Sequence, residues 1–245
     1  MKIPRHLRGL SSIGPVYLVG GSVRDQILGR PSKDYDFAVP GDARTFAEEV
    51  ASRMGARVIE IGKDNRSVYR VVSGKEILDF SPLEGEGIEK DLRRRDFTIN
   101  AMAYDLQSES LIDPVNGLDD IRSKTIRLIS EKAVLEDPVR LVRAFRFAAV
   151  LGFTIAPDTA AAISRYGGLI TRSAKERIRA EAMTMMEAER SFPSLREMDR
   201  AGLLGKIIPE LEPCRGCHQN AIHGRDVFEH AMATYEEMES ILSSR

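Results

Sequence analysis

The chain has 245 residues, 42% of them hydrophobic and 30% charged, which excludes a largely disordered polypeptide and suffices for one large or two modest cores. A formal net charge of −1 excludes a uniformly basic nucleic-acid coat. Two cysteines, no long apolar run and an N-terminus (MKIPRHLRGLSS) without a secretory apolar stretch point to a reducing, cytoplasmic setting with no membrane partner. The charges are segregated. Arginines and lysines gather at Arg93, Arg94 and Arg95, at Arg140, Arg143 and Arg146, and at Arg172, Lys175, Arg177 and Arg179, whereas Glu229, Glu236, Glu237 and Glu239 make the C-terminus acidic. A local phosphate-binding surface is expected from the basic clusters.

In chain order, residues 16–19 (Val-Tyr-Leu-Val) predict a short strand running into Gly20-Gly21-Ser22, after which residues 23–28 have helical character. Asp42 predicts a helix cap, Phe46, Ala47, Val50 and Met54 recur at helical spacing, and Gly55 can stop the helix. Residues 57–61, 67–72 and 75–80 predict three successive strands. From about residue 131 the strand signal fades into helical segments punctuated by Gly152, Gly167-Gly168, Pro193 and Gly202. Ser173-x-x-Glu176 predicts a capping box opening a long helix, with Ile178, Ala182, Met185 and Met186 on its buried face. The fold class is therefore α+β: a head over 1–130 with a mixed sheet, a helical neck over 131–190, and a helical body over 191–245.

The chemistry concentrates in Gly20-Gly21-Ser22-Val23-Arg24-Asp25, followed by Gly29-Arg30 and Asp34-Tyr35-Asp36-Phe37. Residues two apart in a strand share a face, so Asp34 and Asp36 present both carboxylates to one place. Hard oxygen ligands of that kind suit Mg²⁺, and two such ions can stabilise the attacking and leaving oxygens of a phosphoryl transfer. The glycines allow backbone N–H groups and the Ser22 hydroxyl to approach a triphosphate, whose charge the following helix N-terminus favours.

This ordered set resembles the DNA polymerase β-like nucleotidyltransferases, and within them the class II CCA-adding tRNA nucleotidyltransferases and bacterial poly(A) polymerases. Arg93-Arg94-Arg95-Asp96-Phe97-Thr98-Ile99-Asn100-Ala101-Met102-Ala103 is similar to the family's second motif nearly residue for residue. Its arginines can neutralise triphosphate charge, and Asp96 and Asn100 offer polar atoms to a ribose hydroxyl. Glu136-Asp137-Pro138-Val139-Arg140 resembles the family motif E-D-x-x-R at the head of a helix, with Pro138 at a first helical position. A carboxylate accepts from the exocyclic amine of cytosine or adenine while a guanidinium donates beside it, so Asp137 and Arg140 together could choose C and A without a template.

The resemblance implies a head of the polymerase-β type followed by an all-helical neck and body, and transfer of C and/or A from CTP and ATP to the 3′ end of a tRNA with Mg²⁺ in a two-metal mechanism. It implies catalytic roles for Asp34, Asp36 and Asp79, the last brought in from a neighbouring strand. Gly20, Gly21, Ser22, Arg24, Arg95, Asp96, Asn100, Asp137, Arg140 and Arg143 are the implied nucleotide-binding residues, and Arg172, Lys175, Arg177 and Arg179 the implied RNA-binding ones. Glu176-Arg177-Ile178 followed by Glu181 resembles a later helix motif that supports the neck. Poly(A) synthesis, or a non-catalytic RNA-binding module on the same fold, is the alternative.

Two departures qualify the resemblance. The stretch from Asp79 to Asp96 is short and reads Leu83-Glu84-Gly85 where relatives carry an arginine, so the element that switches C to A addition is reduced. Near the end, Gln219-Asn220 and His223 to His230 resemble the entry of an HD-type domain, but no His-Asp pair follows, and no phosphohydrolase activity is expected. Cys214-Arg215-Gly216-Cys217-His218 formally matches covalent haem attachment and offers zinc-ligand atoms. Haem attachment of that type needs export and structural zinc needs four ligands, so neither is expected.

Overall fold

The computed structural model describes residues 3–62, 67–218 and 226–244, and the chain divides into two compact units, Met1–Ser123 and Lys124–Arg245. The first unit is built on a seven-stranded mixed sheet. Its strands are β1 (Tyr17–Val19), β2 (Asp34–Val39), β3 (Val58–Ile61), β4 (Val68–Ser73), β5 (Glu76–Pro82), β6 (Ala103–Asp105) and β7 (Ser110–Ile112), in the spatial order β3-β4-β5-β2-β1-β6-β7. Only β2 and β5 pair in parallel; every other neighbouring pair is antiparallel. The helices of this unit are α1 (Arg5–Arg8), α2 (Gly21–Ile27), α3 (Ala43–Met54), α4 (Ile88–Arg93) and α5 (Gly117–Arg122).

Alternation decides which sheet face is covered. In β2, Tyr35 and Phe37 are buried while Asp34 and Asp36 are exposed; in β5, Leu78 and Phe80 are buried on the same side as Phe37. Phe37 stacks on Phe80 with ring centroids 5.0 Å apart, and Phe46 of α3 tilts onto Phe80 at 5.5 Å. Each such ring contributes about 1.5–3 kcal/mol by burial. Asp42 caps α3 by accepting from the Arg44 and Thr45 N–H groups, as its place in the sequence predicts, and Gly55 ends the helix in the left-handed region. The apolar face of the sheet is thus closed, and the acidic face stays open for chemistry.

Among its described residues the second unit is helical apart from one parallel pair of two-residue strands, β8 (Thr125–Ile126) and β9 (Thr154–Ile155). Its helices are α6 (Glu131–Glu136), α7 (Arg140–Leu151), α8 (Pro157–Tyr166), α9 (Lys175–Met186), α10 (Phe192–Arg200), α11 (Leu204–Ile207) and α12 (Val227–Ser243). Three local expectations are corrected. Ser173 does not cap α9: the helix begins at Lys175 after Ala174, and the Ser173 hydroxyl is buried without a hydrogen bond. Met186 is 42% exposed, so the buried stripe of α9 rests on Ile178 and Met185. Pro138 lies in the turn before α7, where the Leu141 N–H donates to its carbonyl, and not at the first helical position. No helix among the described residues is long and apolar enough to cross a membrane.

Candidate active site

One row of residues crosses three strands of the first unit. Arg70 of β4 faces Asp79 of β5, and Asp79 faces Asp36 of β2, with Asp34 two residues upstream on the same face. Arg70 donates from Nε to Asp79 Oδ1 at 2.8 Å and from Nη2 to Oδ2 at 2.7 Å, and this bidentate bond raises the arginine's pKa. Asp79 therefore stands beside the pair expected from sequence, with a countercharge that sequence reasoning missed. Its only local signal is an arginine in an otherwise apolar strand.

Asp34 and Asp36 carry no ion pair among the described residues. Asp36 is solvent-accessible but recessed among protein atoms. Its pKa is raised by partial loss of hydration first, then by the charge of Asp79, with Asp34 adding and Arg95 and Arg70 opposing. Adjacent carboxylates without a direct ion pair are a fitting donor set for a divalent cation. No three His, Cys, Asp or Glu side chains converge as a ligand cluster among the described residues. An ion here would take the Asp34 and Asp36 oxygens and complete its shell with water and phosphate, as hard cations do.

The glycine turn is locked to these acids. Gly20 has φ 68° and ψ −133°, a conformation reserved for glycine, and a Cβ on it would meet Arg95 Nη1 at 2.8 Å. The Ser22 hydroxyl was expected to face a triphosphate. Instead it is buried, accepting from the Asp36 N–H at 2.9 Å and donating to the Asp34 carbonyl at 3.3 Å. Its work is to hold β2 against the turn.

Behind the turn runs a buried chain: Arg24 Nη1 donates to Asn100 Oδ1 at 2.6 Å, and Asn100 Nδ2 donates to Asp96 Oδ1 at 3.2 Å. Asp96 and Asn100 are each only 6% exposed, so they meet any ligand with an edge and not a full side chain. Arg95 is held above Gly20 by Asp91, to whose Oδ2 it donates from Nε at 3.2 Å and Nη2 at 2.9 Å. Arg94 takes the other oxygen of Asp91 and pairs with Glu84. Asp91 is a second residue the sequence reading missed, although its spacing of three and four from Arg94 and Arg95 on a helix was a usable signal.

In the second unit, Asp137 and Arg140 lie at the junction of α6 and α7, where the Arg140 N–H donates to the Asp137 carbonyl at 3.1 Å. Arg177 of α9, expected at an RNA surface, donates to both Asp137 oxygens at 3.0 and 2.7 Å. Partial burial opposes ionisation of Asp137, but this guanidinium, aided by Arg140, holds its pKa below the ordinary value. Arg143 and Arg146 reach Glu181 of α9. Arg172, Lys175 and Arg179 are exposed.

Residues 16–127 match the poly(A) polymerase head domain, and residues 152–215 match the probable RNA- and SrmB-binding site of polymerase A. The chain is 35% identical over 226 residues to an A-adding tRNA nucleotidyltransferase of Deinococcus radiodurans, covering 90% of this chain and 51% of the relative. It is 39% identical over 193 residues to a CC-adding tRNA nucleotidyltransferase of Geobacter sulfurreducens, covering 78% and 45%. This chain belongs to the CCA-adding and poly(A) polymerase nucleotidyltransferase family. A solved member described as a tRNA-processing enzyme in an apo form superposes with a TM-score of 0.79 at 29% identity, covering all of this chain and 67% of that one. The chain spans about half the length of these two curated family members.

Proposed function

We propose that this chain is a cytoplasmic, template-independent nucleotidyltransferase that adds C and/or A from CTP and ATP to the 3′ end of a tRNA. The observation that carries the reading is the Ser22 bridge, which fixes Asp34 and Asp36 against a glycine turn overhung by Arg95. Such a unit holds a triphosphate and two metal-binding carboxylates in one place.

Asp34 and Asp36 would hold Mg²⁺, which when bound supplies charge neutralisation at the attacking and leaving oxygens. The backbone N–H groups of Gly21 and Ser22 bind phosphate oxygens, and Arg95 adds charge from above Gly20. Arg24 braces Asn100, so that Asp96 and Asn100 offer a fixed polar edge to the ribose. Asp79 serves the same centre, its charge tempered by Arg70. The RNA 3′ hydroxyl attacks the α-phosphate, pyrophosphate leaves, and no enzyme-bound covalent intermediate is needed. Asp137, oriented by Arg177, accepts from the exocyclic amine of C or A while Arg140 donates beside it, and Arg143 supports that helix. Only five residues link β5 to α4, too few for a long switching element, which favours addition of CC or of A over the complete CCA sequence.

The deciding assay offers tRNAs ending before CCA, after C and after CC, each with one labelled nucleotide and Mg²⁺. Incorporation of C or A, without U or G, on a subset of these ends is expected. Retention of tRNA without lengthening would make the chain a binding module, and repeated A addition to unrelated RNAs would make it a poly(A) polymerase.

Salt dependence tests the RNA surface. Since Arg143, Arg146 and Arg177 are committed to internal carboxylates, we expect the phosphate contacts to fall to Arg172, Lys175 and Arg179. Three cations at about −0.7 each give a log–log slope of affinity against salt of about −2 for single-stranded RNA. A flat filter-binding series would remove these residues from the interface.

A further inference from the structure

The end of the 3-10 helix Pro209–Cys214 and the turn that follows it carry both cysteines of the chain, and the proposed nucleotide transfer uses neither. Arg215 has φ −73° and ψ 131°, Gly216 has φ 69°, and the Cys217 N–H donates to the Cys214 carbonyl at 3.4 Å. These are the marks of a type II β-turn with glycine at the position that demands positive φ. Such a turn brings its first and fourth Cα atoms within about 7 Å, and disulfides span Cα separations of about 4.4–6.8 Å. Both cysteines are free thiols, with Cys217 exposed and Cys214 half-buried.

The turn is clamped from several sides, so the two cysteines are kept close. Gly216 N–H donates to Asp226 Oδ2 at 2.7 Å, and Val227 N–H donates to the Cys217 carbonyl at 3.0 Å. Arg215 lies 3.7 Å over the Phe228 ring and pairs with Asp199 of α10 and Glu212. A cross-link here would fasten the end of the 3-10 helix to the residue that anchors the first turn of α12. A metal is the weaker occupant, because no third ligand completes a cluster among the described residues.

We propose that Cys214 and Cys217 form a reversible redox modification site, closing to an intramolecular disulfide on reaction with a low-molecular-weight disulfide such as glutathione disulfide. The exposed Cys217 thiolate attacks one glutathione sulfur, forming a mixed disulfide and expelling one glutathione thiolate. The Cys214 thiolate then attacks the Cys217 sulfur and expels the second. The two cysteine sulfurs lose two electrons, glutathione disulfide gains them, and the two thiol protons end on two glutathione molecules. Short cytosolic disulfides of this kind are transient sensors more often than structural bonds.

The test is mass spectrometry of the intact chain in buffers poised with reduced and oxidised glutathione. The parent should lose two hydrogen masses and both titratable thiols, revert with dithiothreitol, and remain monomeric on non-reducing electrophoresis. Trypsin cleaves after Arg215, so the peptides carrying Cys214 and Cys217 should stay joined until reduced. Cys214→Ser should instead stop as a stable single glutathione adduct on Cys217. A parent that also stops at glutathione adducts, or whose disulfide runs as a dimer, overturns the proposal. The readout involves no transfer activity, so it stands or falls separately from the proposed function.

Discussion

Asp34→Ala and Asp36→Ala should each lower nucleotide transfer by about a hundred- to thousandfold, the scale on which removing a preorganised charge-stabilising group acts. The fold should survive, because both carboxylates stand on the open face of β2 while Tyr35 and Phe37 carry the packing. The pKa of Asp36 runs above its unfolded value, so its ionised form is disfavoured in the folded state. Above that raised pKa the group therefore detracts from stability. Asp36→Asn should then melt no lower than the parent in metal-free buffer at neutral pH, and above it where the repulsion from Asp79 and Asp34 dominates. Single-turnover transfer with a labelled primer and thermal melting on the same preparation check both halves. Transfer within a few-fold of the parent removes these residues from the metal site.

Arg140→Ala should cost discrimination among nucleotides more than it costs turnover. Phosphate and metal contacts are shared by all nucleotides, whereas a paired acceptor and donor penalise a wrong base by about 1–3 kcal/mol. The ratio of transfer efficiencies for CTP or ATP over UTP should therefore fall roughly ten- to hundredfold. Arg177→Met should move the same ratio in the same direction, since Asp137 would lose the two hydrogen bonds that orient it. An unchanged ratio in Arg140→Ala, even with slower turnover, makes Arg140 a helix charge and places base choice elsewhere.

Much of the head was legible in the sequence because its signals are local. Period two along Asp34-Tyr35-Asp36-Phe37 separates an acidic face from an apolar one, and the strand shows that separation. The Asp42 cap and the three strands after α3 follow from residues within a few positions of each other. Gln219, Asn220 and His223, read as the entry to an HD-type domain, lie outside the described residues.

What only the tertiary structure decided are the partners. Asp79 comes level with Asp36 through a parallel pairing of strands separated by two further strands and a helix, and spacing cannot set that register. Sequence does not tell an arginine which distant carboxylate it will meet: Arg70 went to Asp79 on the neighbouring strand and Arg177 to Asp137 forty residues away. Ser22 turned inward because the backbone of β2 offered it both a donor and an acceptor. Ser173 does not act as a cap because α9 starts two residues downstream of it, with Ala174 at the cap position. Local periodicity fixes which face a side chain occupies; long-range register and burial fix what it touches there.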